Sequence, residues 1–261
     1  MNNILEYCYH SHTTRCGHAE GSDEEYVIKA IELGIKRLGF SDHVFLPSGY
    51  SQKGIRGNYE DLENYLESVA FLKEKYKNSI EILVGFEAEY YPEMEDYYRW
   101  LLDEKIDYLI IGQHCYLKDN QFQWYFRKDS PIEDVVHYVD DVIKGLKTGL
   151  FKYLAHPDTF MHAYNRWDED LERESRRLLK CCEELNIPIE LNICGMRRNY
   201  YDEVNYSYPN KHFFSLVKEY NVKVVMGIDA HDPSHYNQSD VDRAISFANE
   251  CGLTIDWNYS I

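Results

Sequence analysis

The chain lacks any apolar run approaching the roughly 18 residues that a membrane-spanning helix needs, so no membrane partner is expected. It opens without a basic segment followed by an apolar core, so no secretory leader is expected either. It contains no CxxC pair. Its seven cysteines, Cys8, Cys16, Cys115, Cys181, Cys182, Cys194 and Cys251, are odd in number and read as reduced thiols of a cytoplasmic protein, not as a disulfide framework. Positive charge is scarce: 28 Lys and Arg stand against 45 Asp and Glu, for a net charge of −17. Such a surface repels phosphate backbones, which excludes nucleic acid as an expected partner. A small phosphorylated substrate stays compatible only if the site carries its own positive charge, as bound cations would. No linker, low-complexity segment or shift in composition interrupts residues 1–261, which are expected to form one domain. The sequence carries no signal of oligomeric state.

What the chain does have is alternation. Short apolar or β-branched runs at 4–10, 37–43, 80–87, 107–114, 152–156, 187–194 and 222–229 predict seven strands. Segments with helical periodicity lie between them, at 24–35, 61–76, 93–105, 131–149, 168–186, 210–221 and 239–252. Strands that alternate with helices imply parallel pairing and right-handed crossovers. An α/β barrel is the expected architecture. An open doubly wound sheet is the alternative, but no glycine-rich phosphate loop follows the first strand. The tail at 253–259 could add a further short strand. The 24 tyrosines are expected mainly to pack amphipathic surfaces.

Polar residues gather at the predicted strand ends: His10 and His12 at the first, Asp42 and His43 at the second, and Glu87 at the third. His114, His156, Asn192, Asp229 and His231 close the other four, and His18 sits in the first loop. In a parallel barrel these ends meet on one rim, where barrel enzymes hold their active sites. His10 and His12, two residues apart on extended backbone, point the same way. Seven of the eleven histidines fall on this rim, which points to metal ligation. Mixed imidazole and carboxylate ligands suit zinc, manganese or iron. The other four, His137, His162, His212 and His235, read as ordinary packing or surface residues. Glu89 reads as a rim carboxylate. Arg197, in the "MRRN" segment after the sixth strand, is a candidate phosphate clamp, because a guanidinium fork matches phosphate oxygens. Arg166 and Arg15 are further candidates on rim loops.

The motifs "HSH" (10–12), "GHA" (17–19), "SDH" (41–43), "GFEAEY" (85–90), "GQH" (112–114), "AHPD" (155–158), "ELNICGMR" (190–197) and "GIDAH" (227–231) occur in one order. Together they resemble the PHP (polymerase and histidinol phosphatase) family, and within it the histidinol-phosphatase branch. The resemblance implies a distorted, TIM-like seven-stranded βα barrel holding two or three divalent ions (Zn, Mn or Fe). It implies that His10, His12, Glu87 and Asp229 hold one ion, that Glu87, His114 and His156 hold a second, and that His18, His43 and His231 hold a third. Arg197 matches the family's phosphate-contacting arginine, with Arg166 and Asn192 as further phosphate-binding candidates. The implied reaction is hydrolysis of L-histidinol phosphate to L-histidinol and phosphate, with metal-activated water as nucleophile and Asp42 as a candidate acid. The fourth-strand motif, "GQHCY", is one residue shorter than in many histidinol phosphatases. The rival readings are a PHP phosphoesterase for a nucleotide, sugar phosphate or phosphotyrosine, an amidohydrolase-type metal hydrolase, and a non-catalytic metal-binding module.

Overall fold

A computed structural model describes residues 5–47, 49–50, 52–119, 121–127, 130–164, 166–201 and 207–261. Ile4, the first residue of the first expected strand, lies outside them. The chain begins with β1 (Tyr7–Cys8), α1 (Asp23–Leu33) and β2 (Arg37–His43), followed by α2 (Leu62–Tyr76), β3 (Glu81–Ala88), α3 (Glu95–Glu104) and β4 (Tyr108–Ile111). These strands form one parallel sheet in the order β1-β2-β3-β4. The β2–β3 ladder runs unbroken from Arg37 opposite Glu81 to His43 opposite Glu87. Helices follow the strands as the periodicity predicts, and their ends have local causes. Ser22 and Glu25 form a reciprocal capping box at the start of α1, and Gly34 ends it at φ 93°.

The second half is less regular. An antiparallel hairpin, β5 (Cys115–Lys118) and β6 (Gln121–Trp124), follows β4, where the strand–helix alternation predicts none. Then come α4 (Ile132–Lys147), a short α5 (Met161–Tyr164) and α6 (Glu169–Leu185). The chain closes with β7 (Ile189–Asn192), α7 (Ile193–Tyr201), α8 (Lys211–Val217), β8 (Val224–Gly227) and α9 (Gln238–Cys251). β7 and β8 pair in parallel.

Several expectations need correction. The strand expected at 152–156 shrinks to Leu154, which makes single parallel bridges to Ile111 and Ile189. The strand expected at 187–194 stops at Asn192, because Ile193 already begins α7, and "MRRN" lies in that helix instead of a loop. The tail contributes one bridge, Ile255 to Val224. The first strand has a two-residue ladder, extended by a bridge from Ser11 to Ala230. The architecture is therefore α/β, with a four-stranded parallel sheet joined through Leu154 to a parallel pair.

Many tyrosines fill the core instead of covering the surface, among them Tyr7, Tyr9, Tyr65, Tyr108, Tyr138 and Tyr153. A buried phenol needs a hydrogen-bond partner. Tyr108 donates to the carbonyls of Tyr9 and Phe40 at 2.9 and 3.0 Å, tying β4 to the first two strands. Gly39 and Gly85 leave room for its ring: a Cβ on either would fall 2.2 or 2.5 Å from a Tyr108 atom.

Candidate metal centre and active site

The strand ends converge. The ladder sets His43 directly beside Glu87, with His43 Nδ1 3.1 Å from Glu87 Oε2. Seven imidazoles form a continuous cluster. Ring centroids are 5.3 Å apart for His10 and His12, 4.4 Å for His12 and His43, and 4.1 Å for His12 and His231. The spacing is 4.8 Å for His18 and His231, 5.4 Å for His43 and His114, and 5.0 Å for His114 and His156. Glu87 sits among them: its Oε1 accepts from His156 Nε2 at 2.8 Å and lies 3.5 Å from His114 Nε2, while its Oε2 lies 3.5 Å from both His10 and His12 Nε2. Asp229 Oδ1 lies 3.1 Å from His12 Nε2 and 3.4 Å from His231 Nδ1. All nine residues expected as ligands are thus brought together.

Glycine makes the carboxylates fit. A Cβ at Gly112 would stand 1.9 Å from Glu87 Oε1, which accounts for the glycine of "GQH". Two of the nine residues take left-handed backbone that non-glycine residues rarely adopt: His156 at φ 29° and Asp229 at φ 52°. Strain of this kind costs on the order of 1–3 kcal/mol and collects at functional sites.

Electrostatics divide the cluster. Burial alone would push His10 and His12 toward the neutral form. Glu190, Asp229 and Glu87 outweigh it at His10, and Asp229 and Asp42 do so at His12, which rises to about 9. Burial and the neighbouring His12 push His43 down to about 4 and lower His18 and His231 as well. Neutral imidazole is the form that ligates metal. Among the described residues neither His10 Nε2 nor Asp229 Oδ1, both buried, has a hydrogen-bond partner of good geometry, yet they lie 3.5 Å apart. Orphaned buried donors and acceptors are costly, and a cation between them would satisfy both. Ligand atoms of His10, His156 and Asp229 lie within 4.8 Å of one another, as do those of His10, His12 and Glu87, of His43, Glu87 and His114, and of His12, His43 and His231. The donor set fits zinc, manganese or iron.

The remaining expected site residues fare differently. Asn192 is buried and fully engaged: its amide donates to Glu190 Oε2 at 2.9 Å and Asp229 Oδ2 at 3.1 Å, and its Oδ1 accepts from Gly195 N at 3.0 Å. Asp42 is fully buried behind His12, accepting from Thr13 Oγ1 and from His43 N. Arg166 is exposed, stacked on Tyr164 and paired with Asp168. Arg15 pairs with Asp23 and Asn64, away from the cluster. A cavity of about 360 Å³ opens over the cluster, lined by His18, Glu87, His114, His156, Asp229 and His231 together with Ile55, Trp124, Tyr208 and Arg198. Arg198, not Arg197, is the arginine of α7 on its wall. Arg197 is half-buried, close enough to His235 and Asp232 to act on their charge.

Two buried polar groups escaped sequence reasoning. Glu190, in the middle of β7, accepts from His10 Nδ1 at 2.8 Å, from His156 N at 3.1 Å and from Asn192 Nδ2. Its signal was a lone carboxylate inside the apolar run "IPIELNIC". Gly227 makes way for it, since a Cβ there would fall 1.6 Å from Glu190 Oε1. Arg56 pairs with Glu89 at 2.9 Å with both side chains buried, and Glu89 Oε1 stands 3.1 Å from His114 Nδ1. Glu89 is therefore not a solvated rim carboxylate. Burial would raise it, but Arg56 and His114 hold it down at about 2. His235, read as bland, accepts from His231 N at 3.1 Å. Cys16 stays a thiol, pushed up by burial to about 12, and all seven cysteines are free and buried.

Comparison with known proteins agrees with this geometry. The PHP domain model matches residues 9–193. A Deinococcus radiodurans protein named "Probable histidinol-phosphatase" is 25% identical over 262 residues, covering 96% of this chain and 95% of that protein. The Bacillus subtilis histidinol-phosphatase is 21% identical, covering 85% of this chain and 92% of its own. The crystal structure of a Lactococcus lactis histidinol phosphate phosphatase, solved with Zn, L-histidinol and phosphate, superposes with a TM-score of 0.73 at 14% identity over 96% of this chain and 95% of that one. With the matched region spanning well over half its length, the chain belongs to the PHP domain family.

Proposed function

We propose that the chain is a metal-dependent phosphomonoesterase whose substrate is L-histidinol phosphate, released as L-histidinol and phosphate. The observation that carries this reading is the gathering of seven histidines, Glu87 and Asp229 under one open cavity. The names of the curated relatives, and the L-histidinol and phosphate held by the Lactococcus lactis structure, select the substrate. The same reading takes residues 1–261 as one domain and the single-residue bridges at Leu154 and Ser11 as joints of a distorted seven-stranded barrel. The free thiols fit a cytoplasmic protein.

Two or three divalent ions would be held by His10, His12, His18, His43, Glu87, His114, His156, Asp229 and His231. When bound, such ions supply Lewis-acid charge to phosphoryl oxygens and acidify water. The chain's own residues do the rest. Glu190 accepts from His10 Nδ1, which leaves Nε2 turned to the centre, and Glu89 does the same for His114. Asn192 holds Asp229 by one oxygen; its part is to position that carboxylate, not to bind phosphate. Asp42 orients the His12 side of the cluster instead of serving as an acid. Arg198 meets the phosphate from the cavity wall, while Arg197 supports the neighbouring loop through His235 and Asp232.

The test is phosphate release from L-histidinol phosphate, p-nitrophenyl phosphate and a nucleotide monophosphate, before and after chelation. Release that favours L-histidinol phosphate and stops on chelation is expected. Preference for another ester would keep the chemistry and change the substrate.

A further inference from the structure

The hairpin that interrupts the strand–helix alternation starts one residue after His114. Its register sets Cys115 opposite Trp124, and Tyr125 N reaches back to the carbonyl of His114. The hairpin therefore carries Trp124 back over a member of the metal cluster. Trp124 is 45% exposed, unusual for the largest apolar side chain, and it faces a cavity. A second cavity of about 210 Å³ opens off the first beneath it, lined by His114, Trp124, Phe126, Thr159, His162 and Tyr208. Four of these six residues line both cavities, so the two adjoin, whereas Phe126 and His162 line the side cavity and not the first. At about 30 Å³ per water in the liquid, it has room for a five-membered ring and its methylene. Its lining is mostly aromatic, from Trp124, Phe126, Tyr208 and the imidazoles of His114 and His162, and Thr159 adds a hydroxyl. It has no carboxylate among the described residues, so it is not built to select an ammonium group by charge.

We propose that this side cavity is the leaving-group pocket: Trp124, Phe126 and Tyr208 hold a planar heteroaromatic ring of the substrate alcohol while its phosphate lies over the metal cluster. This rests on the phosphomonoesterase reading for the position of the phosphate, and it adds what that reading does not give, the part of the chain that selects the alcohol. Aromatic faces recognise a ring by stacking and reject an aliphatic chain of the same length by offering it nothing specific. Thr159 can exchange a hydrogen bond with a ring nitrogen, which favours imidazole over phenyl.

Two measurements on the metal-loaded protein test it. The first is the ratio of kcat/KM for L-histidinol phosphate to that for 2-aminopropyl phosphate, which keeps the amine and the phosphate but has no ring. Trp124→Ala and Phe126→Ala are each expected to lower that ratio by about tenfold. An unchanged ratio in both variants overturns the proposal. The second is calorimetric binding of L-histidinol, which needs no turnover. Its affinity is expected to drop by about tenfold in both variants, and equal affinity in wild type and variants overturns the pocket. If wild type hydrolyses neither ester yet binds L-histidinol in a way that depends on Trp124, the phosphatase reading fails while the ring pocket stands.

Discussion

The two halves of the molecule place their functional residues by different means. From β1 to β4 the ladders are continuous, and register alone puts His43 beside Glu87. From Leu154 onward the ladder thins to single bridges and one short pair, and two residues of the histidine–carboxylate cluster, His156 and Asp229, sit at left-handed backbone. What the second half lacks in backbone pairing it replaces with one buried side chain. Glu190 binds His10 Nδ1, the backbone N of His156, and Asn192, which in turn holds Asp229. Register positions the cluster's side chains in the regular half, whereas in the irregular half buried hydrogen bonds to Glu190 and Asn192 take that part.

The comparison can be broken first at Arg56, because the regular half also depends on one irregular segment. Glu89, just past β3, is buried and answered by Arg56 from the loop after β2. Arg56→Met strands a buried carboxylate and should lower unfolding stability by about 3–5 kcal/mol in denaturant titration. The double variant with Glu89→Gln should recover most of that loss. If Arg56→Met alone costs nothing, the pair is not the prop described. Next in size is Glu190→Gln, which keeps the volume but weakens these hydrogen bonds of Glu190. Phosphate release should drop by roughly 10- to 100-fold, with metal lost from the His10–His156–Asp229 group before the His12–His43–His231 group. Uniform metal loss would argue that the halves are not separable. Gly227→Ala and Gly112→Ala press on Glu190 and Glu87 respectively, and each should cost about 1–3 kcal/mol in thermal or chemical unfolding. Smallest is Lys29→Ala, which removes an exposed pair with Glu32 and should change stability by less than about 0.5 kcal/mol.

The sequence was most legible where local rules decide the outcome. Periodicity located α2 and α6 within a residue or two, and β2 matched at both ends. Residue type at strand ends found eight members of the cluster, because parallel pairing obliges those ends to meet, and His18 comes from the loop after the first. It failed where geometry depends on distant parts of the chain. The β5–β6 strands are four residues each and mostly half-exposed or exposed, and no Asn-Gly or Gly-Gly turn announces the hairpin. Helix α7 begins directly after the last residue of β7, and one helical step turns neighbouring side chains by about 100°, so position after the strand points to Arg197 whereas the helix sets Arg198 on the cavity wall. Glu190 and Arg56 are invisible to a search for exposed rim groups because they act from beneath it.

The most direct measurement is metal content of the purified protein, alongside phosphate release from L-histidinol phosphate, for wild type and Glu87→Gln. The account predicts more than one divalent ion per chain in wild type, hydrolysis that a chelator abolishes and zinc or manganese restores, and a loss of both metal and activity by more than about a hundredfold in the variant. A wild-type protein without bound metal, or hydrolysis that survives both chelation and Glu87→Gln, would contradict it.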